Sequence, residues 1–118
     1  KIVDSTETQR DAFRRALDHG VRIGFGTDSG IYPHGMNIHQ LPKMVELGMS
    51  PMGALRSATL WAAQCLADAE VGVLEPGRFA DLVAVRGHDL GDLTCLVDNR
   101  HLVVKGARVT TCDPSTPG

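Results

Sequence analysis

Apolar residues recur along this chain with a helical period in its first half and in short strand-length runs in its second. Asp4 and Glu7 form a capping box, N-cap and third helical residue, opening a helix that runs to about Asp18. Ala12, Phe13, Ala16 and Leu17 make its apolar stripe, and Gly20 ends it. Val21–Thr27 then reads as a strand. Val21, Ile23, Phe25 and Thr27 share one bulky face, while Arg22, Gly24, Gly26 and Asp28 share a nearly bare one. A loop rich in turn residues occupies 29–35. Asn37 is placed to cap a second helix, with Gln40 completing a capping box and Met36 against Leu41 as a staple. Proline is tolerated only in a first turn, so Pro42 puts the regular helix from about Leu41 to Gly48. Ser50 and Pro51 start a third helix as N-cap and first residue. Its buried stripe is Ala54, Leu55, Ala58, Ala62 and Leu66, with Trp61 at the edge.

The character changes at about Glu70. Pro76-Gly77 suits the middle of a type II turn, and Ala80–Val85 is an apolar run of strand length. Leu102–Val109 reads as two short strands about a Lys105-Gly106 turn. Asp89 to Arg100 fits either a short helix or a loop, and 113–118 reads as a frayed tail. A helix followed closely by a strand is the building step of α/β folds. The chain therefore divides into an α/β segment, 1–69, and a segment of short strands, 70–118.

Composition narrows the classes of partner. Twelve Lys and Arg against 14 Asp and Glu leave a net charge of -2, which offers no electrostatic pull toward nucleic acid or an anionic membrane. No window approaches a membrane span or a signal peptide. Cys65, Cys95 and Cys112 are far apart without a CxxC pair, which fits reduced thiols in a cytoplasmic protein. The five histidines include no HxH or HExxH, so the chain supplies no self-contained metal site.

The bare face of Val21–Thr27 is where chemistry concentrates. Glycine inside a strand marks a close approach by a ligand or another backbone. A carboxylate at a strand's C-terminal tip is where barrel enzymes keep their chemistry, and Asp28 has that position. A strand-end aspartate also caps turns, and from these residues alone both readings stand. Arg22, at the other end, reads as a structural charge. Asp81 reads as a residue that fixes a strand start by hydrogen bonding.

Gly26-Thr27-Asp28-Ser29-Gly30, Pro33-His34-Gly35, Gly48-Met49-Ser50-Pro51 and the run Gly72 to Val83 occur in an order and spacing that resembles the C-terminal end of a metal-dependent amidohydrolase. The resemblance covers roughly Phe13 to Val109 and is nearest to the imidazolonepropionase-like and Xaa-Pro dipeptidase (prolidase-like) group. It implies a (β/α)8 TIM-like barrel, of which Val21–Thr27 is the eighth strand, followed by short strands of a small β-sandwich. It also implies a divalent metal, zinc, as one or two ions in the complete enzyme. Asp28 is then a metal ligand and the catalytic group that carries a proton from the attacking water to the leaving nitrogen. Ser29, Tyr32 and His34 are candidate substrate-binding residues in the loop above.

The family's remaining ligands, an HxH after the first strand, a Lys or Glu on the fourth, and histidines on the fifth and sixth, are not in this chain, and Gln40 stands where relatives often carry Glu. The implied partners are a small-molecule or dipeptide-like substrate, the remainder of the barrel and a second copy in a homo-oligomer. The implied activity is hydrolysis of amide or peptide-like C–N bonds. The alternative is a non-catalytic truncated or assembly module, motivated by the missing ligands.

Overall fold

The computed structural model describes residues 5–30, 33–87, 90–91, 93–98 and 100–112. Helix α1 is Ser5–Asp18, with Glu7, Arg10, Asp11 and Arg14 paired along its exposed side. Its expected cap, Asp4, lies outside the described residues. Phe13, Ala16 and Leu17 are half-buried, whereas Ala12 is exposed, so the inward stripe is narrower than the sequence pattern. The helix closes as predicted: Gly20 takes φ 68, its N–H reaches Leu17 O, and Val21 N–H reaches Ala16 O. That pair of bonds satisfies carbonyls the helix end would otherwise leave orphaned.

Val21–Thr27 departs from expectation. Its accessibility alternates with the strand period, Ile23, Phe25 and Thr27 half-buried between exposed neighbours, but it forms no ladder with another strand. A strand needs a neighbour, and the described residues offer this segment none. Beyond the helix closure at Val21, it is tied to the rest by the backbone bond from Phe25 N–H to Ser57 O at 2.9 Å, by side-chain bonds at Arg22 and Thr27, and by packing.

A 3-10 helix, Met36–His39, leads into α2, Gln40–Glu46, with Pro42 in the first turn. Asn37 does not cap this helix; Gly35, at φ 97, holds the position before it. Gly48 ends α2 as Gly20 ends α1, with bonds from Gly48 N–H to Val45 O and from Met49 N–H to Met44 O. Ser50 caps α3, Pro51–Ala58, by accepting the Gly53 N–H at 3.0 Å.

The third helix is broken where the pattern runs on. Thr59, at φ −127 and ψ −95, separates α3 from α4, Leu60–Cys65. Thr59 Oγ1 donates to Leu55 O at 2.8 Å and Ser57 Oγ to Ala54 O at 2.7 Å. Hydroxyls bonded to the preceding turn offer the backbone an alternative to the helical ladder. The break rotates α4, so Ala63 is buried in place of Ala62, and Leu66 is 78% exposed.

The core is formed by Leu41, Met44, Met49, Ala54 and Leu93, with Phe13, Leu17, Ile23, Phe25 and Ile38 packed against it. Leu93 is fully buried at φ 64. The left-handed region costs a side-chain-bearing residue about 1–2 kcal/mol, and burying a leucine returns about 1.5–3 kcal/mol, so burial carries the balance. The same turn opens α5, Cys95–Asp98, a short helix within the stretch that the sequence left as helix or loop; Asp89, Asp92 and Asn99 of that stretch lie outside the described residues.

The sheet has the order β1-β2-β3, all antiparallel: Leu82–Val85, Arg100–Lys105 and Arg108–Cys112. Pro76-Gly77 forms its turn as expected, with Gly77 at φ 86 and Arg78 N–H bonded to Glu75 O. The hairpin turn is Gly106-Ala107, one residue beyond the predicted place, with φ 55 and 62. Positive φ at both central residues is the turn whose twist matches the flanking strands. Asp81 accepts the Gly106 N–H at 2.6 Å and the Lys105 ammonium, which ties that hairpin to the start of β1. Val83 and Val109 lie on opposite faces of the sheet, 51% and 63% exposed. The radius of gyration, 16.1 Å, exceeds the ~13.5 Å of a compact chain this long. No helix among the described residues is long and apolar enough to cross a membrane.

Two outcomes test this account. A Cβ on Gly72 would stand 2.8 Å from Ala63 Cβ and 2.9 Å from Thr59 O, at φ 90. Gly72→Ala is expected to destabilise the chain by about 2–4 kcal/mol through overpacking and backbone strain, measured by urea unfolding. The Lys105 ammonium and then the Gly106 amide hold the Asp81 carboxyl below its usual value. A carboxyl depressed in the folded state stabilises above its unfolded pKa and loses that contribution as pH falls through the folded one. The gap in thermal midpoint between the parent chain and Asp81→Asn should therefore be widest near neutrality and close under acid.

Candidate active site

Asp28 ends the segment whose other face is packed on the helices. Ile23 and Phe25 meet the core, Thr27 and Ser29 are half-buried, and Asp28 is exposed on the alternate side. Its carboxylate has no hydrogen-bond or ion-pair partner among the described residues. Its backbone adopts φ 45, a conformation that aspartate tolerates better than most side chains.

The bare face beneath Asp28 is closed at the bottom and open at the top. A Cβ on Gly24 would lie 3.1 Å from Cys65 Sγ, and Arg22 Nη1 donates to Gln64 Oε1 at 3.2 Å, so α4 covers that end. Glycine at 24 thus makes room for a helix rather than a ligand, and Arg22 is a structural charge. A Cβ on Gly26 or Gly30 would meet nothing within 4 Å. Among the described residues, the bare face is therefore open beside Asp28.

The loop does not gather around the carboxylate as a set. Among the described residues the buried Ser29 hydroxyl has no hydrogen-bond partner. His34 is exposed in the turn before the 3-10 helix. Tyr32 lies outside the described residues. A cleft of about 370 Å³ opens beside the segment, between Thr27, Pro33, Met36, Asn37 and the α2 residues Gln40 and Lys43. It sits on the Thr27 side of the segment, and Asp28 does not line it. Lys43 there is paired with Glu46 at 2.7 Å.

One residue has a role the sequence pattern did not disclose. Asn37 Oδ1 accepts the Gly35 N–H at 3.1 Å and Asn37 Nδ2 donates to Thr27 Oγ1 at 2.9 Å. Asparagine ahead of a helix reads as a cap; the glycine two residues earlier, at left-handed φ, was the signal that the loop turns back on Asn37 instead.

A zinc site requires three or four donors converging within about 2.0–2.3 Å of one point. The described residues contain no group of three His, Cys, Asp or Glu side chains that fits one. Asp28 stands exposed and without a partner among the described residues, and those residues do not by themselves complete a metal centre.

Comparison with known proteins gives this arrangement a family. The amidohydrolase family profile matches residues 1–109. Imidazolonepropionase from Idiomarina loihiensis is 32% identical over 93 residues, covering 75% of this chain and 22% of that enzyme. A Xaa-Pro dipeptidase crystallised with methionine in its active site superposes with a TM-score of 0.76 at 40% identity, over 85% of this chain and 25% of its own. A mutant of atrazine chlorohydrolase from Arthrobacter aurescens, complexed with zinc and atraton, superposes with a TM-score of 0.63 at 31% identity, over 84% of this chain and 27% of its own. The chain thus spans about a quarter of the length of these proteins. With its profile match running through nearly every element described above, the chain belongs to the amidohydrolase family.

Proposed function

We propose that this chain forms the C-terminal part of a metal-dependent hydrolase of amide or peptide-like C–N bonds, with Asp28 as metal ligand and proton carrier. The observation that supports the reading is an exposed, unpartnered carboxylate above the opening at Gly26, at the end of a segment whose opposite face is packed. Residues 1–69 then belong to the barrel, with Val21–Thr27 as its eighth strand once a neighbour pairs with it, and 70–118 to the β-sandwich.

A divalent cation held by Asp28 together with ligands from the remainder of the barrel, zinc in this reading, would supply an activated water and polarise the scissile carbonyl. Asp28 accepts the proton of the attacking water and delivers it to the leaving nitrogen, one carboxylate acting as base and then as acid. Ser29, with an unsatisfied hydroxyl beside Asp28, together with Tyr32 and His34 in the same loop, contacts the substrate. The similarity to an imidazolonepropionase and a Xaa-Pro dipeptidase favours a small cyclic amide or a dipeptide-like substrate.

A second reading rests on shape. The elongated outline, 58 × 32 × 29 Å, and the valines exposed on both faces of an open-edged sheet favour a module that acts only after assembly with further chain or a second copy. Under it the 118-residue chain alone is inactive and self-associates, and sedimentation across a concentration series should give a weight-average mass rising above that of a monomer. A constant monomer mass with cooperative unfolding would count against it.

For the first reading, Asp28→Asn in the complete enzyme is expected to lower kcat by about 10²–10⁴-fold. The check is steady-state kinetics on a panel of Xaa-Pro dipeptides and 4-imidazolone-5-propionate. An unchanged rate would remove Asp28 from the chemistry.

A further inference from the structure

Asn37 stands at the start of a 3-10 helix and makes no cap there. Its amide spans two parts of the loop, accepting the Gly35 N–H and donating to Thr27 Oγ1. Thr27 is the residue immediately before Asp28, so this bond acts on the peptide that carries the carboxylate. Asp28 itself adopts φ 45, which aspartate tolerates better than most side chains but which is still less favourable than an extended backbone, so its surroundings bias it. Its own carboxylate supplies no such bias among the described residues. On the other side the Ser29 hydroxyl is unpartnered and supplies none either.

Asn37, by contrast, is well backed. Ile38 packs against the core cluster, and α5 packs against the same 3-10 helix. Both Thr27 and Asn37 are half-buried, so water competes little for the bond between them.

We propose that Asn37 is a positioning residue, which through Thr27 fixes the backbone turn at Asp28 and hence the direction in which its carboxylate points. This rests on the reading of Asp28 as metal ligand and proton carrier. The relation is one step removed from that of an outer partner bonded to a metal ligand, since Asn37 bonds the residue before Asp28. The cost of removing a ligand's own partner, about 10–100-fold in metal affinity or activity, is therefore its upper range.

The test is made in the complete, zinc-loaded enzyme with Thr27→Ser, Thr27→Val, Asn37→Ala, the Thr27→Val/Asn37→Ala double variant and Asp28→Asn. Two readouts are taken: steady-state kinetics on the panel above, and zinc affinity by competition with a chelator. Thr27→Val preserves shape and removes the hydroxyl, whereas Thr27→Ser retains it. Thr27→Val and Asn37→Ala are each expected to lower kcat and zinc affinity by up to about 10–100-fold, with KM within about two-fold. Thr27→Ser should stay near the parent, and the double variant should be no worse than the weaker single one, as expected of two ends of one interaction.

If Asp28→Asn abolishes turnover and zinc binding while Thr27→Val and Asn37→Ala match the parent, the positioning role fails and the role of Asp28 stands. Losses that add in the double variant and follow a falling thermal midpoint also overturn the positioning role, because they describe a general weakening of the fold. If Asp28→Asn changes neither readout, the role of Asp28 fails and the inference fails with it.

Discussion

The arrangement depends on one sided contact: Ile23 and Phe25, half-buried, pack against the core cluster, while on the alternate face α4 covers Arg22 and Gly24 and leaves Gly26 and Asp28 exposed. Each large apolar side chain gains about 1.5–3 kcal/mol on full burial, and a slip of one residue would exchange the two faces. Such a slip would bury Arg22 and Asp28 and expose the apolar pair, so hydrophobic burial sets which face of the segment Asp28 occupies. That fixes Asp28 outward without any bond to Asp28 itself. The backbone bond from Phe25 to Ser57 then sets the height of the segment against α3.

Where sequence and structure agree, the signals are local. Gly20 and Gly48 end their helices because each adopts a left-handed conformation that lets two amides reach back to orphaned carbonyls. Ser50-Pro51, Pro76-Gly77 and the short strands behave likewise, since their chemistry is complete within a few residues. The carboxylate of Asp81 was legible as a strand anchor for the same reason, although its partner lies across the sheet.

Where they differ, distant contacts decide. Nothing in the apolar stripe from Ala54 to Leu66 discloses that Thr59 will break it; the break is a competition between hydroxyl and amide bonds, with Gly72 packed against the Thr59 carbonyl that accepts the Ala63 N–H. The buried Leu93 is a comparable case, a loop residue in a disfavoured conformation recruited by a core whose other members, Leu41 to Ala54, lie far earlier in the chain. Asn37 has the composition of a cap and the geometry of a brace because Thr27 stands within reach, a fact of tertiary structure. Gly24 looked like part of a ligand hollow for as long as Cys65 could not be placed over it. Of the site itself, the position and sidedness of Asp28 were legible, and its support was not.

The family membership and the open architecture fit together. A ladderless segment with strand-like alternation, a three-stranded sheet with an exposed valine on each face, and a carboxylate without partners are all surfaces that further chain would complete. The most direct measurement is anomalous diffraction at the zinc edge from crystals of the complete enzyme. The account predicts a metal peak about 2.0–2.2 Å from a carboxylate oxygen of Asp28, as for a zinc carboxylate ligand. A peak enclosed by other side chains, with Asp28 turned toward the helices or well out of bonding range, would contradict it.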